Sequence, residues 1–306
     1  MSSINDSRCV LVTGATSGIG RALAIAISEL PSHPKVIGTG RRPDRLKELE
    51  TAGLEVISLD LDVDAKSLTR NVRGIIQKYP DLDTIILNAG FQREFDFLNN
   101  DVDIDSTSHD SPTLNDKVHR NLFAVLYREA QLNYLSVMAF IVATLPHFKE
   151  LAAAGRPCMV VNVTSGLCVV PATHLSNYTA SKAALHSMTM SLQSQFQGTN
   201  IHFIEVVPPL VESELHDFEG TTERLSNFWM PLDQYIPLTL KGLQKGEPHV
   251  SCGAAAFAFE KFEKKKYELA IKKALPTAPT PDFKPVTRGQ WFLSETSLKG
   301  GWGWKK

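Results

Sequence analysis

The stretch CVLVTGATSGIG, Cys9–Gly20, decides how this chain is read. Its first part, CVLV, is a short apolar run of the kind that fills a buried strand. The segment Gly18–Leu30 that follows predicts a helix. Between them sits TGATSGIG, Thr13–Gly20. Gly14 permits a tight turn, Gly18 lets the backbone approach a pyrophosphate, and Gly20 lets helix and strand pack closely. The helix N-terminus adds unpaired N–H groups and the positive end of its dipole. Gly14, Thr16, Ser17, Gly18, Ile19 and Gly20 are therefore candidate contacts to the phosphates of a dinucleotide.

The same rhythm continues outward. Strands are predicted at Lys35–Gly40, Leu54–Leu59, Leu82–Leu87, Cys158–Val163 and Ile201–Val207, and helices at Pro43–Thr51, Ala65–Tyr79, Glu129–Ala154 and Asn177–Gln197. Continuous apolar strands joined by crossover helices imply a parallel sheet covered on both faces. The expected fold is α/β, a single doubly wound Rossmann-type domain over residues 8–252, with ligands at the carboxyl ends of the strands. Two segments break the rhythm. Asn99–Asp116 is polar and rich in Asp, Ser and Asn, which suits a surface insertion, either loose or folded over a substrate pocket. Residues 253–306 form a basic C-terminal extension, helix-like over Ala254–Ala274 and rich in Pro, Gly and Trp beyond.

The end of the second strand bears on the choice of cofactor. An NAD site places Asp or Glu about 20 residues past the glycines, to bind the ribose 2′-OH. Here Gly40 holds that place, and Arg41 follows Gly20 by 21 residues, with Arg42 next to it. Guanidinium groups suit a 2′-phosphate through paired N–H donors, so the pattern favours NADP(H) over NAD(H), although a solvated helix start also explains an arginine here. Asp62, after the third strand, is a candidate for the adenine amino group, with Asp60 as competitor.

Tyr178 and Lys182 stand four apart on a predicted helix and share one face. Ser165 precedes Tyr178 by 13 residues, just after the fifth strand, and the loop between contains Gly166 and Pro171. A phenol has a pKa of about 10 and needs a neighbouring cation to serve as an acid–base group near neutrality. Together with LNAG (Leu87–Gly90), Asn133 and YTASK (Tyr178–Lys182), these motifs resemble, in order, those of the short-chain dehydrogenase/reductase family. The resemblance runs from about Arg8 to about Cys252. It implies a catalytic tetrad of Asn133, Ser165, Tyr178 and Lys182. Tyr178 would exchange a proton with the substrate oxygen, Ser165 would orient that oxygen, Lys182 would bind the nicotinamide ribose and tune Tyr178, and Asn133 would hold a relay water. Asn88 would brace the fourth strand beside the cofactor. The stretch EVVPPLVES (Glu205–Ser213) has Pro208-Pro209 where the family commonly has Pro-Gly, and Ser213 where it has a Thr that contacts the nicotinamide carboxamide. Pro-Pro with MPLDQYI (Met230–Ile236) is similar to a branch that includes oxidoreductases named for D-alanine esterification. Asn88 and Asn133 lie 45 residues apart, more than is usual in the family, and the excess falls on the 99–116 insertion. Leu210–Met230, with Phe218, Phe228 and Trp229, resembles the variable lid over a partly apolar substrate, and His174 lies in the loop before Tyr178.

Composition fits this reading. The chain has 306 residues, 43% hydrophobic and 21% charged, enough to bury a substantial core. Net charge is -1, which argues against a dedicated nucleic-acid binder. From Glu260 onward 11 Lys/Arg face 5 Asp/Glu, so a basic appendage joins an acidic body. Cys9, Cys158, Cys168 and Cys252 form no CxxC pair, so neither a disulfide framework nor a metal site is expected. The N-terminal residues carry no apolar signal core and the apolar stretches are interrupted, so no membrane span and a cytoplasmic location are expected. The expected activity is NADP(H)-dependent interconversion of a carbonyl and an alcohol, in a homodimer or homotetramer. A catalytically silent NADP(H) sensor or scaffold is the alternative from another class, and a tailoring reductase of specialised metabolism the alternative among enzymes.

Overall fold

Apolar side chains alternate along the first strand, and that alternation builds both faces of the domain. In the computed structural model, which describes residues 2–98 and 122–272, Val10 and Val12 of β1 (Cys9–Val12) point into one apolar layer and Leu11 into the other. Val10 and Val12 pack with Leu23 and Ile27 of α1 (Gly18–Ser28). Leu11 packs with Leu68 and Val72 of α3 (Ala65–Lys78). A strand buried on both sides is mostly apolar, and β1, β4 (Thr84–Leu87) and β5 (Cys158–Val163) are completely buried, with Thr84 and Asn162 as their buried polar members.

The remaining strands are β2 (Lys35–Gly40), β3 (Glu55–Ser58), β6 (Ile201–Val207) and β7 (His249–Ser251). They join one seven-stranded sheet in the order β3-β2-β1-β4-β5-β6-β7, and every pairing is parallel. The chain builds outward from β1 in one direction, then returns to β4 and builds in the other. The reversal leaves a crevice at the carboxyl ends of β1 and β4, where open α/β sheets bind ligands. The expected doubly wound sheet is therefore present, and β2, β5 and β6 occupy the predicted residues.

The helices on either side include α2 (Pro43–Thr51), α4 (Leu122–Ala130), α5 (Ser136–Ala153), α6 (Ser176–Gln195), α7 (Thr222–Leu225) and α8 (Leu232–Gln244). The helix expected over Glu129–Ala154 starts earlier and contains a π-helical turn, Gln131–Leu135, between α4 and α5. Residues Phe123–Ala153 are long and apolar enough to cross a membrane by length and composition, but α5 packs on α3 as a core helix. The Lys-rich stretch after β7 is helical as far as Lys272, as α9 (Gly253–Ala258), a π-helical turn (Phe259–Glu263) and α10 (Lys264–Lys272). It packs against α6. The 99–116 insertion and the chain beyond Pro276 lie outside the described residues.

At the amino ends of the strands, Asp83 ties three elements together. Its carboxylate is buried and accepts from the Arg8 backbone N–H at 3.0 Å, the Cys9 N–H at 3.3 Å and the Arg156 guanidinium at 2.7 Å. Burial raises the Asp83 pKa, against those hydrogen bonds and Arg156, which favour the charged form. Removing the carboxylate takes the acceptor from two N–H groups and leaves the part-buried Arg156 guanidinium with Asp81 as its remaining partner. Asp83→Ala should cost about 3–5 kcal/mol in chemical denaturation, with NADPH affinity unchanged in the folded protein. A loss below about 1 kcal/mol would contradict this role.

Candidate active site

The loop after β1 is held against the loop after β4 by backbone crowding and by one hydroxyl. Gly14 has φ +65°, and a Cβ there would lie 2.9 Å from Ala89 Cα. Gly18 has φ +49°, and a Cβ there would lie 3.1 Å from Ser213 Cβ. A Cβ on Gly20 would fall 2.3 Å from Asn88 Nδ2. No other residue fits these positions without moving backbone. Thr13 Oγ1 accepts from the N–H of Asn88 at 3.0 Å and of Ala89 at 3.1 Å, and Asn88 Nδ2 donates to Thr13 O at 3.1 Å. The sequence pointed to Asn88 as the brace but missed Thr13, whose place between strand and glycine turn was the available signal. The cradle fits a dinucleotide: N-terminal amides of α1 face the crevice, and the glycines keep it free of side chains.

The two arginines after β2 differ. Arg42 donates to Thr16 O at 2.8 Å and to Glu214 at 2.6 Å, so it is fixed beside the phosphate cradle. Arg41 is more exposed and reaches only Asp60, at 3.7 Å. Asp62 accepts from Arg128 of α4 at 2.6 Å, so its carboxylate is already committed to a cation.

The second half of the site comes from β5 and α6. Lys182 is buried, and its Nζ donates to Val163 O at 2.8 Å. Its ammonium lies 5.8 Å from the centre of the Tyr178 ring. Desolvation brings the Lys182 pKa down to about 8. Burial pushes the Tyr178 phenol above its usual value, against a hydrogen bond with Ser165 that favours the phenolate. Ser165 caps the following 3₁₀ turn, Gly166–Cys168, by accepting from Leu167 N at 3.2 Å. Glu129, buried nearby, accepts from Arg93 N at 3.0 Å and from Asn177 Nδ2 at 2.6 Å.

Asn133 sits in the π-helical turn and is fully buried. Its Oδ1 accepts from Phe91 N at 2.8 Å, and its Nδ2 donates to Phe91 O at 2.8 Å and to Ser181 Oγ at 3.1 Å. The side chain therefore braces the chain after β4. A Cβ on Gly90 would lie 3.4 Å from Asn133 Oδ1 and 3.7 Å from Lys182 Nζ, so Gly90 separates the two.

The segment 210–230, expected from the sequence to be a lid, runs beside the same crevice, with Ser213 next to Gly18. Its base is pinned where Met230 N donates to Leu210 O at 2.8 Å and Glu212 N to Met230 O at 3.0 Å. Arg224 of the lid pairs with Glu94, and Gln92 lies 3.4 Å from His216 Nδ1. Phe228 is exposed and Trp229 half-buried. His174 is exposed, and its carbonyl accepts from Phe95 N at 2.7 Å.

A buried polar cluster behind Ser165 was not foreseen. Glu205 on β6 is fully buried and accepts from Thr164 Oγ1 at 2.7 Å and from His186 Nδ1 at 2.8 Å. His186 Nε2 lies 3.0 Å from Glu263 of the C-terminal π turn. Ionised carboxylates accept only, so with Glu205 and Glu263 both charged the two ring nitrogens both carry protons. Burial works against the charged ring, but hydrogen bonds to Cys168 and Glu205 raise the His186 pKa to about 11, and His186 with His249 brings that of Glu205 down to about 2 against its burial.

Residues 8–224 match the family model described as short chain dehydrogenase. The chain is 29% identical to the "Uncharacterized oxidoreductase DltE" of Bacillus subtilis (strain 168) over 243 residues, 79% of this chain and 86% of that one. It is likewise 29% identical to the "NADP-dependent 3-hydroxy acid dehydrogenase" of Schizosaccharomyces pombe over 240 residues, 76% of this chain and 83% of that one. Its fold is similar to that of a short-chain dehydrogenase from Sphingobium yanoikuyae solved in complex with NADPH, with TM-score 0.65 and 20% identity, covering 90% of this chain and 98% of the other. With the motifs in order and the cradle formed, the chain belongs to the short-chain dehydrogenase/reductase family and is an oxidoreductase acting on a CH–OH or C=O group.

Proposed function

We propose that the protein is an NADP(H)-dependent reductase or dehydrogenase in which Tyr178 is the general acid/base. The observation that carries this reading is Tyr178 buried against both Ser165 and Lys182 at the mouth of the glycine cradle. Bound NADP(H) supplies or accepts the hydride at the carbonyl carbon. In the reducing direction Tyr178 donates its phenolic proton to the carbonyl oxygen, and Ser165 donates a hydrogen bond to the same oxygen. Because burial keeps the phenol protonated, Tyr178 enters that step with the proton it must give. Lys182 stabilises the phenolate that results and would hold the ribose hydroxyls. The Asn133 side chain is engaged, so any part in proton return falls to its main chain.

Arg42, fixed on Thr16, supports NADP(H) over NAD(H), with Arg41 as a second, more exposed contact. Gly14, Thr16, Ser17, Gly18, Ile19, Gly20, Asn88 and Ser213 would complete the cofactor site. Asp62 would serve the adenine only by sharing its bond with Arg128. A homodimer or homotetramer is supported by the exposed row Phe123, Tyr127, Leu135, Met138 and Val142 along α4, the π turn and α5, a row that water disfavours. The relative named for 3-hydroxy acids makes 3-oxo acids the first substrates to try, alongside simple ketones and aldehydes.

Tyr178→Phe should lower turnover on the best of these substrates by about 10²–10⁴-fold and leave NADPH binding within about twofold. Retained turnover would end the mechanism. Arg42→Ala should raise the Kd for NADPH by about 10-fold or more and leave that for NADH nearly unchanged, in titrations followed by nicotinamide fluorescence. Equal losses for both would remove Arg42 from the 2′-phosphate. The protonated form of Lys182 is the active one, so kcat/KM in the reducing direction should be flat below and fall as pH rises through about 8. A profile flat from pH 7 to about 10 would contradict that assignment.

A further inference from the structure

The cluster behind Ser165 joins two parts of the site to the C-terminal helix. Thr164, whose hydroxyl bonds Glu205, immediately precedes Ser165. His186 lies one helical turn beyond Lys182 on α6. Glu263 reaches His186 from the π-helical turn between α9 and α10, and Lys266 pairs with Glu263 at the surface. On β7, His249 Nδ1 lies 3.3 Å from Glu205 Oε2, and its ring stacks on Phe259 at 3.5 Å. Thr164, His186, Glu205 and Glu263 are all buried.

Cys168, His186 and Glu205 bring ligand-type atoms within 4.8 Å of one another, a spacing a metal ion would accept. The hydrogen bonding speaks against one. Both ring nitrogens of His186 already face carboxylates, and the two negative charges are matched by the imidazolium and by Lys266. A cation would find no uncompensated charge and no free nitrogen. What the arrangement does provide is a rigid link, because each partner is buried and breaking one bond strands a charge.

We propose that Glu205, His186 and Glu263 form a clamp that positions Ser165 and Lys182, so that the helix after β7 is part of the catalytic unit. The clamp grips β5 through Thr164, α6 through His186 and the C-terminal segment through Glu263. None of the three needs to touch substrate; each is a positioning residue. The proposal rests on the reading of Ser165, Tyr178 and Lys182 as the reacting groups. Fixing those groups matters because small displacements of reacting atoms cost large factors in rate.

The test uses the full-length protein with NADPH and whichever 3-oxo acid, ketone or aldehyde it reduces fastest. Thr164→Val keeps the volume and deletes the hydroxyl bond to Glu205, and should lower kcat about 10-fold while the Kd for NADPH stays within about twofold. Thr164→Ser restores the hydroxyl and should recover kcat to within about threefold of wild type. Glu263→Gln should lower kcat about fivefold, again without loss of NADPH binding. A merely structural role would lower thermal stability but leave the kcat of folded protein alone, and serine would not rescue it. A second measurement needs no substrate: in ¹⁵N-histidine spectra at pH 9, the His186 ring, assigned by its loss in His186→Gln, should remain doubly protonated. If the ring is neutral at pH 9, or if Thr164→Val and Glu263→Gln keep wild-type kcat while Tyr178→Phe is inactive, the clamp is wrong. If Tyr178→Phe stays active, the catalytic reading fails while the spectra still decide whether the charged clamp exists.

Discussion

The domain depends on one point of contact, where the loop after β1 meets the loop after β4. Their backbones approach so closely that a single added carbon on Gly14 or Gly20 would overlap Ala89 or Asn88. Thr13 and Asn88 then lock the approach with three hydrogen bonds. The crevice that opens above this contact is where the winding order of the strands reverses. Its other features are arranged around that floor: Arg42 rests on Thr16, Ser213 of the lid comes down on Gly18, and Gly90 separates Asn133 from Lys182.

Burial then sets the chemistry. An ammonium and a phenol placed together in water would both stay protonated near neutrality. Inside this fold the same desolvation moves the two apart, Lys182 downward and Tyr178 upward. The phenol becomes a group that keeps its proton until a partner oxygen develops charge, and the ammonium becomes the nearby cation that rewards its release. Val163 O anchors the ammonium so that the pair cannot drift apart. The same logic explains the Glu205–His186–Glu263 cluster, where isolated buried charges would be costly but a closed chain of opposite charges is stable and stiff.

Most of the fold was legible in the sequence because strands buried on both faces are mostly apolar, as Cys158–Val163 and Ile201–Val207 show. Gly14, Gly18 and Gly20 were legible because backbone geometry demands glycine there. β7 was missed because HVS, His249–Ser251, is too short to show a pattern. The π-helical turn at Asn133 was missed because a one-residue bulge leaves the surrounding helical pattern intact. In the sequence Arg41 and Arg42 could each be a phosphate ligand or a solvated helix start, and the bonds from Arg42 to Thr16 and Glu214, distant in sequence, distinguish it from Arg41. The buried cluster was invisible for the same reason, since His186, Glu205 and Glu263 are far apart in sequence and no local spacing joins them. The C-terminal charge surplus likewise suggested a separate appendage, whereas its first part, up to Lys272, carries Glu263 into the domain.

The central claim is that this crevice transfers a hydride under the control of Tyr178. The most direct measurement follows deuterium from NADPH labelled at the reactive nicotinamide carbon into the alcohol formed by the full-length protein. The account predicts label on the carbinol carbon from one face of the nicotinamide, with none transferred by Tyr178→Phe under the same conditions. Tight NADPH binding with no deuterium in any alcohol product would contradict it and would leave a protein that senses the cofactor without using it.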